Sequence, residues 1–151
     1  MRLLIVAVGR IKSGPHLDLQ RFYAERLTCP LEVKEVEEHR KLPAPARQVS
    51  EGELLLAALP ARAFVVALDE RGKDLSSPDF ARQMAKWQQV APTVAFLIGG
   101  ADGHGEAVRA RADYLLALGA MTWPHLMVRA MLCEQLYRAQ QILASHPYHR
   151  E

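Results

Sequence analysis

Cysteine is scarce in this chain, which has two among its 151 residues, Cys29 and Cys133. Two are too few for a zinc site, and their separation excludes a CxxC motif, so we expect neither a metal centre nor a disulfide framework. Such cysteine usage is typical of a reducing cytoplasm. The chain also lacks an apolar run near the ~20 residues that span a bilayer. No signal-peptide cleavage pattern follows its apolar start, so we expect a soluble, cytoplasmic protein.

An excess of charge of one sign is also missing. The chain has 19 Lys and Arg against 17 Asp and Glu, a formal net charge of +2, which is too small to identify a nucleic-acid partner. Basic residues are in excess within residues 1–50, and this excess fits a solvated surface as well as an RNA-facing patch. The length predicts one domain over residues 1–151, and the 50% of hydrophobic residues excludes a disordered chain.

What is present is an alternation of strand-like and helix-like segments. Short β-branched apolar runs predict buried strands, and strict alternation predicts an edge strand at residues 31–37. The predicted strands cover residues 3–8, 31–37, 63–68, 93–98 and 114–118. The predicted helices cover residues 15–27, 50–59, 104–111 and 127–143, together with one that has Ser77 as N-cap and Pro78 in its first turn. The polar segment 39–48 is expected to be a mobile loop. The alternation predicts an α/β domain with a mostly parallel sheet.

Three strand ends are followed by segments that suit ligand binding. Gly99–Gly105 follows a buried strand, where α/β proteins present backbone N–H groups, but it matches no phosphate-loop motif and fits a plain turn equally well. Asp69 and Glu70 can form an acid–base or metal-binding pair, although turn formation by at least one of them is favoured. The apolar segment 119–125 must satisfy its own backbone groups or bind a ligand with them. Together the three junctions suit a nucleoside-type cofactor.

The last part of the chain allows two interpretations. Glu134 and Arg138 are spaced as a surface ion pair on the last predicted helix. Cys133 is interpreted as a buried core thiol, and both tryptophans are assigned to the core or an interface. The terminal segment His146–Glu151 fits a frayed polar end, yet it concentrates groups that serve proton transfer, stacking and phosphate binding.

Six segments of the chain share a pattern with one known family. They are the opening strand ending in Val8-Gly9, Leu68-Asp69 with Gly72-Lys73, Phe96–Gly100, Pro124-His125 with Val128-Arg129, Glu134–Ala139, and His146–Glu151. In these segments the sequence resembles, from end to end, the ribosomal large-subunit methyltransferase H family, which are small bacterial enzymes of the SPOUT class.

The resemblance implies a fold and an activity. The fold is an α/β sheet with helices on both faces, whose C-terminal third forms a trefoil knot that holds S-adenosylmethionine. The implied activity is methylation of N3 of a pseudouridine in 23S rRNA, by a homodimer acting on the assembled ribosome. The alternative is a non-catalytic ribosome-binding or assembly factor with the same fold, which predicts no affinity for the cofactor.

The resemblance also implies cofactor-binding residues, carried over by position. They are Leu68, Gly100, Gly119, Ala120, Met121, Thr122, Trp123 and Pro124. The sequence departs from the family pattern at Ala101-Asp102, where Pro-Glu is commoner, and at Trp123, where an aliphatic residue is usual.

The catalytic groups implied by the resemblance come mainly from the tail, which we expect to close the cofactor site of the other subunit. Tyr148 is expected to orient a flipped base, and His149 to accept the N3 proton. Arg150 and Arg129 are expected to hold phosphate or stabilise the imide anion. His125 is a weaker candidate for the base. Methyl transfer requires no metal or covalent nucleophile here, so alignment is the main task.

Overall fold

The computed structural model describes residues 1–150 and contains one five-stranded sheet. The strands are β1 (Arg2–Val8), β2 (Leu31–Val36), β3 (Ala63–Asp74), β4 (Thr93–Ile98) and β5 (Tyr114–Ala117). The helices are α1 (Pro15–Ala24), α2 (Ala44–Ala57), α3 (Ser77–Val90), α4 (Glu106–Arg111) and α5 (His125–Leu143). The sheet order is β2-β1-β4-β3-β5 and each neighbouring pair is parallel, which confirms the predicted class.

The three predicted apolar strands occupy the centre of this sheet. Every residue of β4 is buried, as are six of the seven residues of β1. Helices cover both faces of the sheet, so neither face of these strands meets water, and continuous apolar runs result. The segment with alternating polarity forms β2, which lies at one edge of the sheet as predicted. Position in the sheet therefore explains both sequence patterns.

Each face of the sheet has its own apolar core. On one face Phe80 and Met84 of α3 pack with Leu132 of α5, and Tyr23 of α1 adjoins them. On the other face Leu55 of α2 packs near residues of α4 and the sheet. Full burial of one such Phe, Met or Leu side chain contributes about 1.5–3 kcal/mol. Helices on both faces are thus confirmed, whereas the trefoil knot stays a prediction.

Several predicted core residues are confirmed. Cys133 is fully buried in the larger core, and burial raises the pKa of its thiol to about 12, so it remains protonated. Trp87 is buried and stacks on Phe64 with ring centroids 5.4 Å apart. Trp123 lies outside the core, because 39% of its surface is exposed in the single chain, and its place in an interface stays a prediction. Its indole N–H donates to the carbonyl of Leu118 (2.8 Å) and holds the ring against its own loop.

The starts of α2 and α3 differ from the sequence prediction, and those of α4 and α5 differ by two residues each. Residues 44–48 belong to α2 rather than to a loop, because Pro43 is the N-cap and its carbonyl accepts from the N–H of Arg47 (2.9 Å). Proline is tolerated in a first turn, where its missing N–H has no helical partner. At α3 the N-cap is Ser76, whose hydroxyl accepts from the N–H of Asp79, so the predicted cap was one residue late.

The predicted junction after residue 68 is instead a continuation of β3 through an irregularity. Leu116 of β5 pairs with both Leu68 and Lys73, so the intervening residues bulge out of the ladder. Gly72 permits this close approach, since a Cβ there would lie 2.6 Å from the carbonyl carbon of Leu115. The bulge places Asp69 at the carboxyl edge of the sheet.

The described helices include none with the combined length and apolarity that would let it traverse a membrane.

Candidate active site

A cavity of about 280 Å³ lies at the carboxyl edge of the sheet. Its walls come from the ends of β3, β4 and β5, the loop after β5 and the start of α5. Parallel strands bring these ends together, and α/β proteins bind ligands at this edge. Six of the eight residues expected to bind the cofactor line the cavity: Leu68, Gly100, Gly119, Met121, Thr122 and Trp123. Ala120 and Pro124 belong to the same loop but lie outside the lining.

The backbone itself forms one wall of the cavity, at Gly100. A Cβ at this position would lie 3.0 Å from Cγ1 of Val8 and 3.1 Å from Oε1 of Glu51. Glu51 is buried in α2 behind the loop, and burial together with the charge of Asp102 raises its pKa. The space behind Gly100 is therefore filled, and the strand end presents bare backbone to the cavity.

Asp69 forms the polar floor of the cavity with Arg109. Its Oδ1 accepts from the N–H of Arg71 (2.8 Å), and its Oδ2 accepts from Nε of Arg109 (2.8 Å). Burial opposes ionisation of Asp69, but these hydrogen bonds and the guanidinium outweigh it and lower its pKa. Turn formation is thus confirmed for Asp69, while Glu70 is exposed. Arg109 carried no sequence signal, since its partner is 40 residues away.

His104 adds a neutral acceptor to the lining. Its ring is 3% exposed, and burial lowers its pKa. Nε2 lies 3.2 Å from the carbonyl oxygen of Leu97, which can only accept, so Nε2 carries the proton and Nδ1 carries the lone pair. Nδ1 is buried and has no partner among residues 1–150. The sequence placed His104 only as the start of a helix, which begins two residues later.

These features fit a nucleoside-type cofactor such as S-adenosylmethionine. The bare backbone at Gly100 allows a flat ring to approach closely, and Leu68 supplies an apolar contact. Nδ1 of His104 can accept a hydrogen bond, and the cofactor offers donors in its amino group, ribose hydroxyls and ammonium group. Arg109 is paired with Asp69, so the floor has little net charge and suits the zwitterionic amino-acid end of the cofactor.

His125 completes the lining at the start of α5. Burial, followed by the charge of Arg129, lowers the pKa of its ring. A Cβ on Gly9 would lie 3.7 Å from its Nε2, so the loop after β1 borders the ring closely. His125 is therefore a neutral imidazole beside the cavity.

Arg129 was expected to bind phosphate or the imide at the cofactor site, but it lies outside the cavity. Its guanidinium is 1% exposed and bonds to Glu35 of β2 (2.6 Å), the carbonyl of Gly9 (2.8 Å) and the carbonyl of Val8 (3.2 Å). Three groups of its own chain accept from Nη1 and Nη2, while Nε is buried without a partner among residues 1–150. This position contradicts direct phosphate or imide binding by Arg129. The residue instead ties α5 to the ends of β1 and β2.

The terminal segment is folded against α5. The hydroxyl of Tyr148 donates to Oε1 of Glu134 (3.1 Å), and the Tyr148 ring meets that of Tyr137 edge-on at 4.8 Å. Burial and hydrogen bonds with Tyr23 and Glu134 raise the pKa of Tyr148. His149 lies 3.1 Å from Arg138. The frayed-end interpretation is thus wrong for Tyr148 and His149.

Glu134 and Arg138 form the expected ion pair, at 2.6 Å. Their side chains are three-quarters or more buried and contact the tail. The pair is therefore not the solvated surface pair that the spacing alone suggested. Arg150 is exposed, and Glu151 lies outside the described residues.

The tail and the cofactor cavity are separate within one chain. A second cavity, of about 350 Å³, lies between them and shares the wall formed by residues 116–119. Glu134 and Gln135 line its far side. Glu134 therefore faces this second cavity and also binds Tyr148.

Comparison with known proteins identifies the family. The profile of a family described as "Predicted SPOUT methyltransferase" matches residues 1–149. The chain is 60% identical over 151 residues to the ribosomal RNA large subunit methyltransferase H of Paramagnetospirillum magneticum, with 99% of each chain covered. It is 56% identical to the protein of the same name from Rhodospirillum centenum, again with 99% of each covered.

Among solved structures, the SpoU methyltransferase AviRb from Streptomyces viridochromogenes aligns with a TM-score of 0.49 and 18% identity, over 96% of this chain and 61% of that one. The family assignment depends on the sequence matches, which span nearly the whole chain at high identity. The chain belongs to the SPOUT methyltransferases and, within them, to the ribosomal RNA large subunit methyltransferase H family.

Proposed function

We propose that this protein methylates large-subunit ribosomal RNA, and that its target is N3 of a pseudouridine in 23S rRNA on the assembled ribosome. The relatives at 55–60% identity carry the name of a ribosomal RNA large subunit methyltransferase. The observation that carries the proposal is the cavity at the strand ends, into which six expected cofactor residues converge. The pseudouridine target comes from the resemblance of the whole sequence, including its terminal motif.

The methyl donor of SPOUT methyltransferases is S-adenosylmethionine, whose sulfonium supplies an already activated methyl group. The residues that would hold it are Leu68, Gly100 and the 119–124 loop, with the acceptor Nδ1 of His104. Gly119, at φ +87°, lets the loop turn back over the cavity. The protein's task is to bind and orient, because alignment of the two reactants can provide much of the rate enhancement.

We assign the base-binding end of the site to the tail. Tyr148 orients the flipped base, and His149 and Arg150 contact its imide edge or the neighbouring phosphate. Within one chain the tail lies on α5 and outside the cofactor cavity. We therefore propose a homodimer in which the tail of one subunit completes the cofactor site of the other. Arg129 serves this site by positioning α5.

The ribosome, rather than naked RNA, suits the charge of the chain. A formal net charge of +2 gives little of the phosphate neutralisation on which tight binding to free RNA depends. An assembled particle supplies additional contacts by shape. Ribosomes also place the reaction in the cytoplasm.

Transfer of labelled methyl groups from S-adenosylmethionine tests the function. The acceptors are ribosomes that lack this modification, isolated large subunits and free rRNA, compared in parallel. Label on N3 of one pseudouridine, on assembled particles alone, would support every part of the proposal. Label at another atom would contradict the target, and label on free rRNA would contradict the dependence on assembly.

A ribosome-binding factor without catalysis gives a different result. It would bind ribosomes but neither transfer label nor bind S-adenosylmethionine in calorimetry. That pair of results would overturn the proposed activity.

A further inference from the structure

Arg138 connects the tail to the body of the protein. Its Nε and Nη2 both donate to Oε1 of Glu134, at 2.9 and 2.6 Å. Its Nη1 lies 3.1 Å from Nδ1 of His149, and its guanidinium carbon is 4.8 Å from the centre of the Tyr148 ring. Glu134 thus fixes one side of the guanidinium, and the other side faces the tail.

The chemistry of this contact determines where the proton of His149 resides. A guanidinium has only N–H donors and remains charged in proteins. Nδ1 of His149 must therefore accept from Arg138 with its lone pair. In the neutral ring the proton then sits on Nε2.

We propose, on the basis of the proposed function, that Arg138 is a positioning residue held by Glu134, and that it makes His149 a hydrogen-bond donor at Nε2 rather than the acceptor of the N3 proton. The ring has one lone pair, and Arg138 occupies it. This reverses the role expected from the sequence. A ring in this state can donate to a carbonyl oxygen beside N3 of the base.

That donation matches the charge that develops in the reaction. When the N3–H bond breaks, hydroxide from solvent takes the proton and forms water. The electron pair stays on the imide and is shared with the flanking carbonyl oxygens. N3 then forms its bond to the methyl carbon as the bond from that carbon to sulfur breaks. A fixed N–H directed at a carbonyl oxygen stabilises the anion without gaining or losing a proton.

The surroundings of the ring support a donor role. Nε2 of His149 is buried and has no partner among residues 1–150, which is costly for an N–H group. The charged and titratable groups at the tail are Glu134, Tyr137 and Arg138 of α5, Tyr23 of α1, and His146, Tyr148 and Arg150 of the tail itself. Of these, Glu134 is occupied by Arg138 and Tyr148, and a substrate carbonyl would supply the acceptor.

The decisive experiment compares two substitutions of His149. Glutamine places an amide N–H close to the position of Nε2 but has no basic nitrogen, whereas alanine has neither. We expect single-turnover methyl transfer to unmodified ribosomes to fall by about 100-fold in H149A, as for loss of one anion-stabilising donor. H149Q should remain within about tenfold of the wild type. Equal losses in the two variants would overturn the proposal.

Substitutions of Arg138 test the positioning role. R138Q should lower kcat by about tenfold with little change in the KM for S-adenosylmethionine, and R138K, which keeps a charged donor, should recover part of the loss. Adding R138Q to H149Q should cause no further loss, because the glutamine has no tautomer to fix. R82Q is the matched control, since Arg82 forms an exposed helical pair with Asp79 on α3. Full additivity of R138Q and H149Q would contradict the role.

Nitrogen-15 spectra of the histidines separate this inference from the function itself. They should reveal an unprotonated Nδ1 and a protonated Nε2 for His149 near neutral pH, with loss of this preference in R138Q. The opposite tautomer would overturn the inference even if methyl transfer occurs. If the wild type transfers no methyl group, the proposed function fails, while the spectra still decide the Arg138 contact.

Discussion

A Cβ at Gly100 would press on Val8 and Glu51, which would lie 3.0 and 3.1 Å from it. A methyl group there must displace them or the loop, at a cost of about 1–3 kcal/mol. We expect G100A to bind S-adenosylmethionine about tenfold more weakly, or worse, in titration calorimetry. G105A is the control, because its Cβ would lie 3.4 Å from Gln48, an ordinary contact outside the cavity. Equal affinities of the two variants would show that the close packing behind Gly100 does not shape the cofactor site.

We expect Arg129 to stabilise the fold, an effect that its expected catalytic role would not require. Replacing it with methionine leaves the carboxylate of Glu35 and two carbonyls without their partner, so R129M should lose about 3 kcal/mol of unfolding free energy in urea titrations. R2M removes the exposed pair with Glu32 and should lose less than about 1 kcal/mol. A loss in R129M as small as that in R2M would remove Arg129 from this structural role.

At the scale of elements, Asp69 couples the bulge of β3 to α4 through Arg109. Its pKa is lowered on folding, so its charge stabilises the protein above the unfolded value of about 3.9. That stabilisation disappears as the pH falls through the folded value. D69N should therefore lose about 1–3 kcal/mol of unfolding free energy at pH 7, and the difference from wild type should shrink at pH 3.

Urea unfolding at both pH values measures this difference. D18N, on the exposed side of α1, is the control and should change little at either pH. A deficit of D69N that is independent of pH would mean that the charge of Asp69 is not its source.

Local patterns of the sequence were sufficient to predict the central strands and the edge strand. Apolar runs and alternation depend on which faces are covered, and both are local. The bulge in β3 was not predictable in this way, because the close approach of Leu115 to Gly72 joins residues far apart in the sequence. The start of α2 was missed because Pro43 and Pro45 indicate a loop as readily as a first turn.

The candidate site, like the fold, was predictable only where its residues belong to short sequence segments. The resemblance named eight residues from a few sequence segments, and six of them line one cavity. It did not reveal the burial of Arg129, the polar floor formed by Asp69 and Arg109, or the acceptor that His104 adds to the lining. These contacts depend on three-dimensional proximity of residues whose types alone are uninformative.

At the scale of the whole molecule, a shared active site makes a prediction about mixed dimers. G100V should disable the cofactor cavity, and H149A should disable the tail. If the tail of one subunit serves the other, each mixed dimer regains one intact site. Random mixing should then restore about a quarter of wild-type methyl transfer per subunit, from two inactive parents.

Unfolding and refolding the two variants together, followed by the ribosome assay, tests this. Mixing the folded variants for a short time, without exchange of subunits, is the control. Absence of any recovery in verified mixed dimers would mean that each tail serves its own chain.

The position of β1 between β2 and β4 bears on how the chain matures as it leaves the ribosome that makes it. Strand β1 cannot gain β4 as its second neighbour until residues 93–98 have been synthesised. Its covering helix α1 waits longer, since Gln140 of α5 bonds to Thr28 just beyond α1 (2.7 Å). Such long-range pairing slows folding. The nascent chain therefore completes this core only after α5 has been synthesised, and chains that end before α5 expose a bare sheet face.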